Sequence, residues 1–268
     1  MNKTTKKPQL LSSVKNALSV LKSFSTFEPV KTVSELSEEL GLAKSTVSRL
    51  LTTLASEGFV VKDDESRGYR LGLAVLTLGG IVTNHLEVHK EAAPVLSSLV
   101  NDTRETAHIS ILDDLDTIYI HKEECNHPVR ILTHLGRRNP SYCTSSGKVL
   151  LAFGNTKTTE KVIEKGLVPY TENTITNPNK LWRELEQIRK QGYAVSTEEL
   201  TTGTRSVAAP VKDYTGKVVS AITVVGPIQR LSNRNIEPIA KKVIEASKEA
   251  SERLGYDKRF LGGILEEN

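Results

Sequence analysis

The sequence predicts an α+β chain in two parts, and three observations predict it. Apolar residues recur at helical spacing from Val14 to Leu54, with Gly41 and Gly58 closing two of the helices. Short β-branched runs come in pairs from Thr106 onward, with helical stretches segregated between them, which is the pattern of an antiparallel sheet. A length of 268 residues suits one large domain or two smaller ones.

Composition narrows the class. Hydrophobic residues at 38% and charged ones at 25% describe a globular chain, not a disordered one. No apolar run approaches the roughly 18–20 residues that cross a bilayer. The basic start, MNKTTKKPQLLSS, is not followed by the apolar stretch of a signal peptide. Secretion and membrane anchoring are therefore not expected. Two cysteines, Cys125 and Cys143, are too few for a disulfide framework, so a reducing cytoplasm is the expected setting, with a single bridge left open. The formal net charge is +4. Its distribution says more, because Lys3, Lys6, Lys7, Lys15 and Lys22 all precede the first acidic residue, Glu28. A basic head suits a polyanion such as DNA, and it equally suits a solvated tail.

The first helix carries Val14, Ala17, Leu18, Leu21 and Phe24 at helical spacing, with Ser13 as its expected N-cap and Pro29 marking the break after it. Thr32-Val33-Ser34-Glu35 then reads as a capping box opening a short helix with Val33, Leu36 and Leu40 on its apolar face. Gly41 stands where a helix ends in a left-handed residue. A third helix turns Val47, Leu50, Leu51 and Leu54 inward and stops near Gly58. Two short helices about a glycine turn, over about 33–52, are the layout of a helix-turn-helix. Lys44, Ser45, Thr46, Ser48 and Arg49 lie off the apolar face near the N-terminus of its second helix. Such residues meet base edges and phosphates in a major groove. Phe59-Val60-Val61 and Tyr69-Arg70-Leu71 flank turn-forming residues and read as a hairpin, a wing that offers Arg67 and Arg70 to the DNA backbone or minor groove. A plain three-helix bundle with a hairpin is the bland alternative. The order of capped helix, glycine turn, hydroxyl-rich basic helix and basic hairpin favours a winged helix-turn-helix over residues 10–72.

Residues 73–104 read as helical, interrupted by Gly79-Gly80 and Pro94. The first part, 73–88, is expected to be a linker helix that either dimerises or packs into the following domain, 89–258. His108–Leu112 and Thr117–Ile120 form a hairpin about Asp113–Asp116, and a third strand is expected from Val129 to Leu135. Gly136–Pro140 reads as loop. Ser145-Ser146-Gly147-Lys148 opens a helix that buries Val149, Leu150, Leu151 and Phe153. Helices follow around 158–165 and 178–191, then strands at 193–198, 204–211 and 217–225. A last helix runs from about Ser232 to Leu254, with Gly255 ending it.

Enzyme readings fare poorly on the residues. Ser146-Gly147-Lys148-Val149 resembles the end of a phosphate loop, but that motif needs glycine at Tyr142 and Ser or Thr at Val149. Cys143 near a helix start suits a low-pKa thiol, but no triad partner can be inferred from the sequence and a small buried or half-buried cysteine is the favoured reading. His121, Cys125, His127 and His134 cluster in sequence at spacings that match no standard zinc pattern. No dinucleotide fingerprint occurs, and no cofactor is expected. A binding pocket is the more economical reading. The start of the 145–154 helix offers unpaired N–H groups beside the hydroxyls of Thr144, Ser145 and Ser146, where small anions settle. Thr204-Arg205-Ser206 and Ser196 lie on strands able to face the same place. Ordinary helix capping by Thr144 or Ser145 is the competing explanation.

Particular stretches carry a resemblance. VKNALSVLKSF (14–24), TVSELSEELGLAKSTVSRLLTTLASEGFV (32–60), YRLG (69–72), PSYCTSSGKVLLAF (140–153), GYAVSTEE (192–199) and GTRSVAAPVKDYTGKVVSAITVVGP (203–227) are similar to the isocitrate-lyase-regulator (IclR) family of bacterial transcription regulators over nearly the whole chain. The second-half stretches are the more specific, because winged helices occur in many families. The resemblance implies an N-terminal winged helix-turn-helix, a linker helix and a C-terminal effector-binding domain related to the GAF fold. It also implies a homodimer, or a homotetramer built as a dimer of dimers, that represses or activates catabolic operons in response to small metabolites. Matched motif by motif, it implies an effector pocket at Ser145, Ser146, Ser196, Thr204 and Ser206, with Pro128 and Ile131 as its apolar wall. This chain departs from common family patterns. Ser145-Ser146 stand where Gly or Ala is frequent, Ser196-Thr197 replace an acidic pair, and Ser206 stands where Cys is common. A hydroxyl-rich pocket suits a carboxylate or polyol better than a bulky apolar ligand.

The expected function is that of a sequence-specific regulator, a repressor in the first instance, that binds near-palindromic double-stranded DNA and answers to a small organic acid. An activator is the nearest alternative. From other classes stand an enzyme with an appended DNA-binding module, which lacks a base–nucleophile pattern, and an architectural protein whose C-terminal domain is purely structural.

Overall fold

The structure is a computed structural model that describes residues 10–257 apart from 26, 64, 129, 130, 132 and 133. The chain divides into two compact units, Met1–His85 and Leu86–Asn268.

The first unit holds α1 (Ser12–Ser23), α2 (Val33–Leu40), α3 (Lys44–Ser56), β1 (Val60–Lys62), β2 (Tyr69–Leu71) and α4 (Leu73–His85). Val20, Leu36, Val47, Leu51 and Val60 form its buried core. The capping box of α2 is complete: Thr32 Oγ1 accepts from the Glu35 N–H, and the Glu35 carboxylate accepts from the Thr32 N–H at 2.7 Å. Gly41 closes that helix at φ 63°, a left-handed conformation that costs a residue without Cβ little. Two expectations for α1 are corrected. Ser13 lies inside the helix, because Leu11 occupies the cap position and no side chain caps it. Val20 is the buried residue, while Val14 and Leu18 stay exposed. The apolar stripe of α1 is wider than the surface its two partner helices cover.

The second unit begins with α5 (Glu87–Thr103) and builds a six-stranded antiparallel sheet in the order β5-β4-β3-β8-β7-β6. Its strands are β3 (Thr106–Asp113), β4 (Asp116–Glu123), β5 (Arg138–Pro140), β6 (Ala194–Thr197), β7 (Thr204–Lys212) and β8 (Val218–Pro227). The helices are α6 (Ser145–Phe153), α7 (Thr156–Lys165), α8 (Pro178–Gln191) and α9 (Ile236–Arg253). Side chains alternate across the sheet with period two. Ile109, Val207, Ile222 and Val224 therefore pack toward α5 and α9, while Ala208 and Ala221 pack toward α6 and α8. His108, Ser206 and Thr223 share the phase of the second face.

Several expected boundaries shift. The helices run through Gly79-Gly80 and Pro94, and the break falls at Leu86 instead. Pro94 is exposed, so water can serve the carbonyl that its missing N–H leaves free. The strand expected from Val129 to Leu135 falls largely outside the described residues, and Ile131 and His134 belong to no strand. Arg138–Pro140, expected as loop, is a strand paired with Asp116–Ile118. It lies at the sheet edge, where a proline's missing donor breaks no ladder. The last helix starts at Ile236, after a turn in which the Asn235 N–H donates to the Ser232 carbonyl.

Candidate nucleic-acid interface and effector pocket

In the first unit, α3 buries Val47 and Leu51 and leaves Lys44, Ser45, Thr46, Ser48 and Arg49 exposed. Its cap residue is Ala43, so no side chain satisfies the first N–H groups of the helix. Those groups and the positive dipole end suit a phosphate. Thr52 and Thr53 turn their hydroxyls back onto the carbonyls of Ser48 and Arg49, which removes them from recognition. The wing is held in register by the pairing Val61↔Arg70 and by a bridge from Lys31 to Tyr69. Arg67 sits exposed in the turn at φ 57°, and Arg70 is exposed on β2. Neither arginine, nor Lys44 or Arg49, has an ion-pair partner among the described residues. Lys31, by contrast, is buried and held by Glu28 and Glu39 at 2.8 and 2.5 Å, so it acts within the fold.

In the second unit, Ile131, Ser145, Ser146, Ser196, Thr204 and Ser206 line one cavity of about 70 Å³ on the α6 face of the sheet. Pro128 is exposed and is not among the lining residues. Thr144 Oγ1 caps α6 by accepting from the Gly147 N–H, as the capping explanation expects. A Cβ on Gly147 would lie 2.1 Å from the Ser141 carbonyl oxygen. Glycine there lets the start of α6 press onto the preceding turn. Ser145 and Ser206 hydroxyls join at 2.8 Å across the cavity wall.

The cavity also draws on residues that motif spacing does not mark. His108, Tyr119, Arg137, Asn139 and Thr223 line it. His108 and Thr223 are cross-strand partners on β3 and β8. Both His108 ring nitrogens, Thr223 Oγ1 and Asn139 Nδ2 are buried without a hydrogen-bond partner. Such groups are costly unless something fills the space beside them. Burial pushes the His108 pKa down to about 3, so the ring is neutral, and it packs against Tyr119 with centroids 4.0 Å apart. A polar residue in phase with the inner face of an otherwise apolar strand was the available signal for both His108 and Thr223.

Beneath the cavity, Lys148 is almost fully buried and donates to Glu184, Glu199 and the Val195 carbonyl at 2.9, 2.7 and 2.8 Å. It joins α6 to the 198–203 loop, whose Leu200 and Thr201 also line the cavity. Burial raises the Cys143 thiol to about 12, which rules it out as a ready thiolate nucleophile. Of the histidine–cysteine cluster, His121 meets His89 edge-to-face at 4.8 Å, and Cys125 is buried against Thr106. Among the described residues no group of three or more His, Cys, Asp or Glu is placed to hold a metal.

A helix-turn-helix with a basic wing, joined to a domain that encloses a polar cavity, defines a DNA-binding transcription regulator with an effector domain. The model of the IclR helix-turn-helix domain matches residues 13–64, and that of the bacterial transcriptional regulator IclR C-terminal domain matches residues 81–252. The chain belongs to the IclR family. It is 33% identical to the HTH-type transcriptional regulator KdgR of Escherichia coli K12, over 94% of this chain and 95% of that one. It is 31% identical to the transcriptional repressor IclR of the same strain, over 82% and 81%. The crystal structure of an IclR transcriptional regulator from Alicyclobacillus acidocaldarius superposes with a TM-score of 0.81 at 32% identity, covering 92% of this chain and all of that one. No helix among the described residues is long and apolar enough to cross a membrane.

Proposed function

We propose that this regulator is a repressor whose affinity for its operator is set by a small organic acid bound in the cavity at the start of α6. The observation that carries the reading is the cavity itself: hydroxyls, an arginine and buried unpartnered polar groups converge on a space beside a helix N-terminus. On this reading Lys44, Ser45, Thr46, Ser48, Arg49, Arg67 and Arg70 meet DNA, within a head of residues 10–72. Residues 73–88 link it to an effector domain of residues 89–258. The likeness to a named repressor supports the sign of regulation. Among the described residues nothing pairs a base with a nucleophile in the cavity, and the raised Cys143 thiol argues further against an enzyme. A protein acting on chromosomal DNA works in the cytoplasm.

The reading includes self-association. On α4, Leu73 and Leu76 are 79% and 71% exposed, and Leu78, Ile81 and Val82 are more than half exposed. An apolar helix surface of this kind calls for a partner. A homodimer, or a tetramer built from two, would present two recognition helices about 34 Å apart and read a near-palindromic operator.

Chromatin immunoprecipitation locates the operator, and transcript levels with and without the gene give the sign. Repression predicts that loss of the gene raises transcription of the adjoining genes, whereas a fall makes the protein an activator. Ser145→Trp is expected to abolish the ligand response while leaving operator affinity within twofold. A surviving response would place the effector elsewhere.

A further inference from the structure

We infer that the chain's own segment 258–268 is the occupant of the groove between α9 and the far end of β7. The inference does not depend on the operator or effector readings. It concerns residues beyond 252, where the match to the family's C-terminal domain ends.

The groove has a volume of about 880 Å³. Ala209 and Pro210 of β7 and Ile244 of α9 give it apolar walls, and Lys212, Lys248 and Glu252 stand around them. β6 pairs with β7 only from Arg205 to Ala208, so β7 runs on past its edge partner. Its backbone is already served there. The Ser247 hydroxyl donates to the Pro210 carbonyl, the Lys212 N–H donates to Ser251 Oγ at 2.9 Å, and Pro210 has no N–H. An added strand finds no ladder to join. No buried polar atom without a partner belongs to the residues lining this groove. It therefore suits apolar side chains flanked by charges, not a polar metabolite.

The path of the chain leads into it. Gly255 ends α9 at φ 81°, the Gly255 N–H donates to the Glu252 carbonyl, and the Tyr256 N–H donates to the Ser251 carbonyl. These two bonds make a Schellman turn. Beyond it, Tyr256 and Asp257 line the same groove as Ile244 and Lys248. Lys212 Nζ holds the Tyr256 ring at 4.9 Å from its centroid. From Glu252 back to Ile244 the helix rises about 12 Å. The eleven residues 258–268 reach about 36 Å when extended, so length is not limiting.

The segment lies outside the described residues, and its sequence is complementary to the groove. Phe260, Leu261, Ile264 and Leu265 are large and apolar, and Gly262-Gly263 between the two pairs lets the backbone bend. Lys212 and Lys248 have no carboxylate partner among the described residues, and Glu266 and Glu267 supply two. Glu252 has no cationic partner among the described residues, and Lys258 and Arg259 supply two.

The test uses the full-length protein and a full-length variant carrying Phe260→Ser, Leu261→Ser, Ile264→Ser and Leu265→Ser. Hydrogen exchange by mass spectrometry is expected to be at least about tenfold faster in the variant at the amides of 209–212 and 244–252. A fluorescein-labelled peptide of sequence 258–268 is expected to bind the variant, one per chain, and not the parent, whose groove is filled. Adding Lys248→Glu to the variant is expected to weaken the peptide about two- to fivefold at low salt and less at high salt. Carbodiimide is expected to link Lys212 or Lys248 of the parent to Glu266 or Glu267 within the monomer band of a denaturing gel. Unchanged exchange together with no peptide binding overturns the inference. So does equal peptide binding by parent and variant, which would show an open groove. Links confined to a covalent dimer band overturn it in favour of a second copy's segment.

Discussion

Lys148 Nζ lies 2.7 Å from Glu199 Oε1, and the two side chains retain 1% and 7% of their exposure. The pair ties the first turn of α6 to the loop that carries Leu200 and Thr201 over the cavity. A buried charge is tolerable when it is paired and hydrogen-bonded, and Lys148 has three acceptors. Glu199 is less well served, since its Oε2 has no partner and burial raises its pKa.

Lys148→Met is therefore expected to cost about 3–5 kcal/mol in urea denaturation at pH 8, because it strands Glu199 without a counter-charge. Glu199 binds its proton more tightly in the folded state than unfolded. Its protonation stabilises the fold below the unfolded value of 4.5, and the benefit fades as pH rises through the folded value. The variant should accordingly be less destabilised at pH 5 than at pH 8. A deficit that does not change with pH would assign the loss to packing alone.

His108 titrates in the opposite sense. Its folded pKa of about 3 lies below the ordinary 6.5, so the unfolded chain takes up a proton that the folded chain refuses. The stability of the neutral ring is fully present above pH 6.5 and is lost as pH falls toward 3. Relative to His108→Gln, the parent protein should lose about 2 kcal/mol between pH 7 and pH 5. Parallel stability profiles for the two proteins would remove His108 from the account.

Lys44 and Arg49 stand exposed and unpaired on α3. If each meets a phosphate, Lys44→Ala or Arg49→Ala should weaken operator binding and reduce the slope of log affinity against log salt by about one. The slope is the decisive reading, obtained by fluorescence anisotropy over a salt series. An unchanged slope with weaker binding would point to a base contact.

Leu76 on α4 offers the simplest test of self-association. Leu76→Glu is expected to shift the mass by light scattering toward the monomer and to weaken operator binding far more than binding of a half-site. No mass change would show that α4 is not at the subunit interface.

Local chemistry determined much of this protein. The capping box at Thr32 and Glu35, the glycine at 41 and the apolar spacing of α3 are short-range signals, and they specify the helix-turn-helix without reference to anything distant. The strand pairs of the second unit follow likewise from period-two alternation and turn residues, and the motif at 145–148 marks one wall of the pocket. Tertiary structure decided what depends on residues far apart in the chain. It paired Arg138–Pro140 with β4 at the sheet edge, where a proline is tolerated, although the segment reads locally as a loop. It brought His108, Asn139 and Thr223 to the cavity that the sequence motifs mark only through Ile131, Ser145, Ser146, Ser196, Thr204 and Ser206. It also set Lys148 between Glu184 and Glu199, so that a lysine in a motif resembling a phosphate loop became a buried structural cation. Helix caps and turns are satisfied within a few residues, so the sequence displays them. Which polar groups end up buried together, and which remain without a partner, depends on strand register and packing across more than a hundred residues.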